Sequence, residues 1–201
     1  FLSIEFQETG FLAYRMHKTA FGDLAGKPVP IRFDDFVKDG HAIGDGVVVN
    51  QGEWQAQLDR NKRAYADEFV QRPAFQSRYA GLSAADYVNA LNANAGGALT
   101  SAEAADLAAR VGDGRETRAA ALLLIAEDAD LRRAENNRAF VLMEYFGYLR
   151  RNPDDPPEMG LNFDGYNFWL GKLNQFGGDF RAAEMVKAFI SSDEYRRRFG
   201  P

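Results

Sequence analysis

The sequence predicts an all-α chain, built from tandem three-helix repeat units packed as a helical bundle or short array. An apolar anchor precedes another by six residues at Phe69 and Phe75, at Ile125 and Leu131, and at Phe189 and Tyr195. Phe1-Leu2-Ser3-Ile4-Glu5-Phe6 reads as the tail of a further copy, and the steps from Phe6 to Phe75, Leu131 and Tyr195 cover 69, 56 and 64 residues, a helical-repeat spacing. Glycine pairs and capping residues punctuate each unit at matching places. Val47-Val48-Val49 is the only β-branched run, and a lone strand there would have no partner. The expected division is 1–10 as the tail of a truncated preceding repeat, 11–80 as a divergent unit, then 81–136 and 137–201.

In the first unit, Phe11 to Phe21 forms a helix, and Gly22, Gly26, Pro28 and Pro30 make a loop. Ile31 to Val37 is a short second helix, Gly40, Gly44 and Gly46 a break, and Trp54 to Phe69 a long third helix with Trp54, Leu58, Tyr65 and Phe69 on one side. In the second unit Ser83 to Leu91 is helical until Gly96-Gly97. Thr100 with Glu103 makes a capping box before Ala104 to Val111, and Arg115 to Glu127, rich in alanine and leucine, follows Gly112-Asp113-Gly114. In the third unit Ala139 to Leu149 ends ahead of Pro153, which disfavours continuation. Asp164 then caps Gly165 to Phe176, whose Tyr166, Trp169, Leu170 and Leu173 form one stripe. Gly177-Gly178 stops it, Asp179 caps a third helix carrying Phe180, Ala183, Met185, Val186 and Phe189, and Ser191 with Glu194 opens a short helix with Tyr195.

Of the 201 residues, 46% are hydrophobic and 26% charged, the composition of a folded globular protein. The net charge of -5 with interleaved signs is not the basic footprint of a nucleic-acid binder. Arg150-Arg151 and Arg196-Arg197-Arg198 fall near helix C-termini, where cations meet the negative end of the macrodipole. Cysteine is absent, which excludes disulfides, thiolate zinc sites and cysteine nucleophiles. The longest apolar run, Ala119 to Ala126, is far short of the roughly 20 residues that span a bilayer.

Asn137-Arg138-Ala139-Phe140-Val141, Tyr148-Leu149-Arg150-Arg151-Asn152-Pro153-Asp154, Gly165-Tyr166-Asn167-Phe168-Trp169 and Ala188-Phe189-Ile190-Ser191-Ser192-Asp193-Glu194-Tyr195 resemble the bacterial family called domain of unknown function 4214. The resemblance is specific over 137–200, looser over 81–136, where the Arg-x-Pro-Asp and Trp elements are missing, and weakest over the first eighty residues. It implies a helical domain similar to phycobilisome linkers, found in tandem in large secreted or cell-surface bacterial proteins, with no catalytic residue set.

The residues themselves offer few chemical sites. The oxygen-rich loop from Asn152 to Glu158, with Asn162 and Asp164 beyond it, contains Asp154, Asp155 and Asp164 as candidate calcium ligands. It lacks the EF-hand register, and Asp or Asn beside Pro also makes turns and caps. His17 and His41 stand alone, without a second histidine one helical turn away. Ser83, Ser101, Ser191 and Ser192 sit at helix starts, not in a Gly-x-Ser-x-Gly elbow. Gly44-Asp45-Gly46 and Gly112-Asp113-Gly114 lack the Lys-Ser or Lys-Thr of a phosphate loop. Asp34-Asp35 and Asp154-Asp155 are adjacent pairs, whereas a glycosidase opposes its carboxylates across a cleft. Tyr148, Tyr166 and Trp169 are candidate interaction residues, either core or an exposed stacking face.

The resulting expectation is a non-catalytic structural or protein-interaction module of a larger secreted or cell-surface bacterial protein. Its partner would be a second copy or a neighbouring domain of the parent chain, without nucleic acid, membrane span or obligate cofactor. The alternative is a calcium- or carbohydrate-binding surface domain that uses the acidic loop and exposed aromatics.

Overall fold

The computed structural model describes residues 4 to 200 and is helical throughout, with no strand among them. Of the expected tail at 1–10, Phe1, Leu2 and Ser3 lie outside the described residues. Helices α1 (Ile4–Phe21), α2 (Phe33–Gly44), α3 (Trp54–Phe69) and α4 (Pro73–Tyr79) are followed by α5 (Ala84–Asn94), α6 (Ser101–Gly112) and α7 (Arg118–Ala126). The last third contains α8 (Ala129–Glu144), a π turn (Tyr145–Leu149), a 3₁₀ turn (Met159–Leu161), α9 (Asp164–Gln175), α10 (Met185–Ile190) and α11 (Asp193–Phe199).

The organising element is α1. Every residue from Thr9 to Ala20 is buried, and α2, α5, α7 and α8 all pack on it. A helix enclosed on all sides must satisfy its polar side chains internally. Arg15 Nε donates to the Ala126 carbonyl at 2.6 Å, Tyr14 OH donates to Glu135 at 2.6 Å, and Lys18 Nζ donates to Asp23 at 2.8 Å. Gly10 allows the close approach of α2, since a Cβ there would stand 2.9 Å from the Phe36 ring. Residues 4–10 therefore belong to this central helix, which runs without a break into the stretch expected to open the first unit.

Local punctuation follows the sequence closely. Ser83 caps α5 by accepting from the Asp86 N–H, and Thr100 with Glu103 forms the expected capping box on α6. Each anchor pair marks a helix end, a short turn and the next helix start: α3 to α4, α7 to α8, and α10 to α11. Phe69 and Phe75 meet edge to face at 5.9 Å, and Ile125 and Leu131 are both fully buried.

Several boundaries differ. Helix α2 continues through Gly40 to Gly44, because its buried Phe36, Asp39 and Ile43 hold the turn that glycine alone would weaken. Helix α8 starts at Ala129, capped by Asp128, ten residues before the expected start at Ala139. Phe163 occupies the cap position of α9, with Asp164 as its first helical residue. Ser192, not Ser191, caps α11 by accepting from the Tyr195 N–H at 3.1 Å, while Glu194 turns to Arg151. Asp179 accepts from Arg181 and Ala182 N–H groups, but α10 begins only at Met185, after Glu184 in the left-handed region. The packing also crosses the expected unit boundaries, α3 lying on α7 and α1 on α5, α7 and α8. One continuous core results, in which the three stretches wrap a shared helix.

Candidate interaction surface and cleft

Most of the exposed large apolar side chains lie in the last third of the chain: Met159, Leu161, Phe168, Phe176, Ile190 and Phe199. Phe168 is 62% exposed although it sits on α9, which packs mainly on α8. Its ring meets Trp169 at 5.2 Å, and Trp169 in turn meets Phe189 at 5.6 Å, so the outer aromatics are continuous with the buried ones. Tyr148 meets Tyr195 at 6.0 Å, and Tyr195 meets Phe199 at 4.9 Å. Of the three aromatic candidates, Trp169 and Tyr148 are half-buried and reach this surface, Trp169 with Lys172 Nζ over its ring at 5.2 Å. Tyr166 is fully buried and its hydroxyl donates to the Arg138 carbonyl at 3.1 Å, so it has no face free for stacking.

The acidic loop is drawn against the first third of the chain. Asp154 accepts from Lys27 Nζ at 2.5 Å and from Arg32 Nη1, and Asp155 accepts from Arg32 Nη2 at 3.1 Å. Burial alone would raise the Asp154 carboxyl, but the hydrogen bonds from Lys27 and Arg32 outweigh it and hold the group below its ordinary range. Asp155 also accepts from the Asn152 backbone and side chain, so both carboxylates act as a clasp between the loop and the start of α2. Asp164 stands apart, accepting from Asn162 at 2.8 Å. Among the described residues no three His, Cys, Asp or Glu side chains converge as a metal-holding group.

A cleft of about 790 Å³ opens between α1, α2 and the π turn. One face of α2 lines its length through Phe33, Phe36, Val37, Gly40, His41 and Gly44, spaced as successive helical turns. Phe6 on α1 and Phe146 on the π turn complete an aromatic floor, their rings 5.9 and 4.9 Å from Phe36. At the end of the π turn Arg150 adopts the left-handed region at φ 49°, a conformation that costs free energy for a residue with a side chain. No carboxylate among the described residues reaches its guanidinium, which rests 5.8 Å over the Phe199 ring. Sequence reasoning missed this cleft because α2 was expected to stop at Val37. Reading the same spacing through Gly40 and His41 to Gly44 would have exposed the continuous face.

Two buried ionic features lie outside the cleft. Asp39 accepts from His17 Nε2 at 2.8 Å, Tyr65 OH at 2.8 Å and Arg72 at 2.7 and 3.0 Å. Burial would raise its carboxyl, yet the His17, Arg72 and Tyr65 hydrogen bonds outweigh that and hold it far below the usual range. His17, expected to be solitary, is thus part of a saturated structural hub. Glu144, the last residue of α8, is fully buried with neither carboxylate oxygen hydrogen-bonded, and burial pushes it up to about 8. No helix among the described residues is long and apolar enough to cross a membrane. Comparison with known protein families, curated proteins and solved structures finds no match.

Proposed function

We propose that this chain is a non-catalytic interaction module of a larger secreted or cell-surface bacterial protein, and that its partner is a second copy of itself. The observation that carries the reading is the set of exposed apolar side chains in the last third, among them Phe168, which meets Trp169, and Phe199, which meets Tyr195. Exposed apolar surface of this kind marks a place where another surface docks. Residues 137–201 contain nine basic and nine acidic residues, whereas the chain as a whole has net charge -5. Two copies meeting through this third therefore avoid the repulsion that the rest of the surface would impose, which favours a symmetric contact of like patches. The placement in a secreted or surface protein rests on the resemblance of 137–200 to domain of unknown function 4214.

Sedimentation across a concentration series tests the association. Rising concentration is expected to shift the chain from monomer to dimer, and Phe168→Ser with Phe199→Ser is expected to weaken the dimer at least tenfold without lowering helix content. A monomer at every concentration would remove the basis for a homotypic module.

A further inference from the structure

We infer that the cleft between α1, α2 and the π turn binds a single-chain amphiphile with a carboxylate head, its apolar chain laid along α2 and its oxyanion on Arg150. Phe168 does not line the cleft, whereas Arg150 both lines it and rests over Phe199 of the surface assigned to self-association; Gly40→Phe addresses the cleft alone and Phe168→Ser the association alone, so either reading can fail without the other. At about 790 Å³ it falls within the range of roughly 300 to 1,000 Å³ that holds small ligands, and its floor of Phe6, Phe36 and Phe146 is apolar.

Charge gives the ligand its direction. The Asn152 side-chain oxygen accepts from the Phe33 N–H at 2.8 Å, which fixes the chain after the π turn to the N-terminal end of α2. Arg150, two residues earlier, therefore enters the cleft from that end, and the nearby Asp154 and Asp155 are already held by Lys27 and Arg32. Asp45 is the one acid lining the cleft and follows the opposite end of α2. Phe33 and Gly44 stand eleven helical steps apart, about 16 Å at 1.5 Å per step. A cation at one end and an acid at the other favour an anionic head at Arg150 and repel it from Asp45. Guanidinium suits a carboxylate because its donors match both oxygens. Gly40, midway along α2, has nothing within 4 Å of where a Cβ would stand and leaves the space open for the chain.

Calorimetric titration with dodecanoate, kept below the concentration at which it forms micelles, tests the assignment. One molecule is expected to bind per chain, with affinity falling about fourfold for each methylene removed on the way to octanoate. Dodecyltrimethylammonium, with the same tail and the opposite charge, is expected to bind at least tenfold more weakly. Arg150→Asn keeps a residue that tolerates the left-handed region and is expected to weaken dodecanoate about tenfold while preserving the chain-length dependence. Gly40→Phe fills the trough and is expected to abolish binding, with a circular dichroism melt confirming the fold. Equal affinity for the two charges, or wild-type binding by Arg150→Asn, overturns the site even if Gly40→Phe does not fold. Binding seen only with phosphatidylglycerol vesicles, and not with free dodecanoate, overturns it in favour of a membrane surface.

Discussion

Asp39→Ala is the most informative single perturbation of the fold. Its carboxylate is fully buried and accepts four hydrogen bonds, from His17, Tyr65 and both terminal nitrogens of Arg72, so α1, α2 and α3 meet through it and the turn before α4 joins them. Removing one partner of a buried ion pair costs about 3 to 5 kcal/mol, because the other partner stays behind without water. Here Arg72 keeps Glu68 at 2.8 Å, which limits that part of the loss. Tyr65 OH retains no acceptor, and a stranded buried hydroxyl costs about 1 to 3 kcal/mol. The expected loss is thus about 3 kcal/mol, read in urea as a midpoint drop of roughly 1 M if the slope is about 3 kcal/mol/M. The folded-state carboxyl titrates far below an unfolded Asp, near 3.9, so its contribution is complete above about pH 5 and fades as pH falls below about 4. Wild type and variant should accordingly converge on acidification. A loss under 1 kcal/mol at neutral pH, or a gap that persists unchanged to pH 2, would refute the hub as a source of stability.

Other perturbations follow from the same accounting of partners. Glu144, raised to about 8 by burial, remains protonated in the fold while the unfolded chain ionises near 4.3, so stability should decline between about pH 4 and 8. Glu144→Gln should flatten that decline by at least about 1 kcal/mol across the window in thermal melts, and an unchanged slope would show that the carboxyl reaches a partner. Thr100→Ala should cost about 1 kcal/mol and speed hydrogen exchange in the first turn of α6, since the Glu103 N–H loses its Oγ1 acceptor while the residue-100 N–H can still donate to the Glu103 carboxylate. Asp154→Asn should lower the melting midpoint with or without calcium, because Lys27 and Arg32 occupy its carboxylate. Millimolar calcium should leave the wild-type midpoint in place, and a rise of several degrees would show that the loop can open around an ion.

The elements that the sequence made legible are those with local causes. Thr100 and Glu103 specify a helix start by themselves, and the spacing of Phe69 to Phe75 fixes a turn whichever neighbours it later meets. What escaped was decided by distant partners. Gly40 reads as a break until Phe36 and Ile43 are seen to be buried on either side of it. His17 reads as solitary because Asp39, Tyr65 and Arg72 stand 22 to 55 residues away. Tyr166 and Trp169 share one stripe in the sequence, yet only the contact of α9 with α8 determines that the first faces inward and the second reaches the surface. Arg150 fell among basic residues expected near helix ends, and its special feature is a backbone conformation set by the π turn.

The enclosure of α1 has a consequence for the order in which the molecule forms. Synthesis delivers α1 before α7 and α8, which begin more than a hundred residues later and bury its far side. Until then its Phe11, Leu12, Tyr14 and Met16 have only part of their final cover, a sequence-distant closure of the sort that slows folding and leaves intermediates prone to aggregate. Release of α8 from the ribosome, rather than completion of any one three-helix stretch, should be the event that makes the nascent chain resistant to protease.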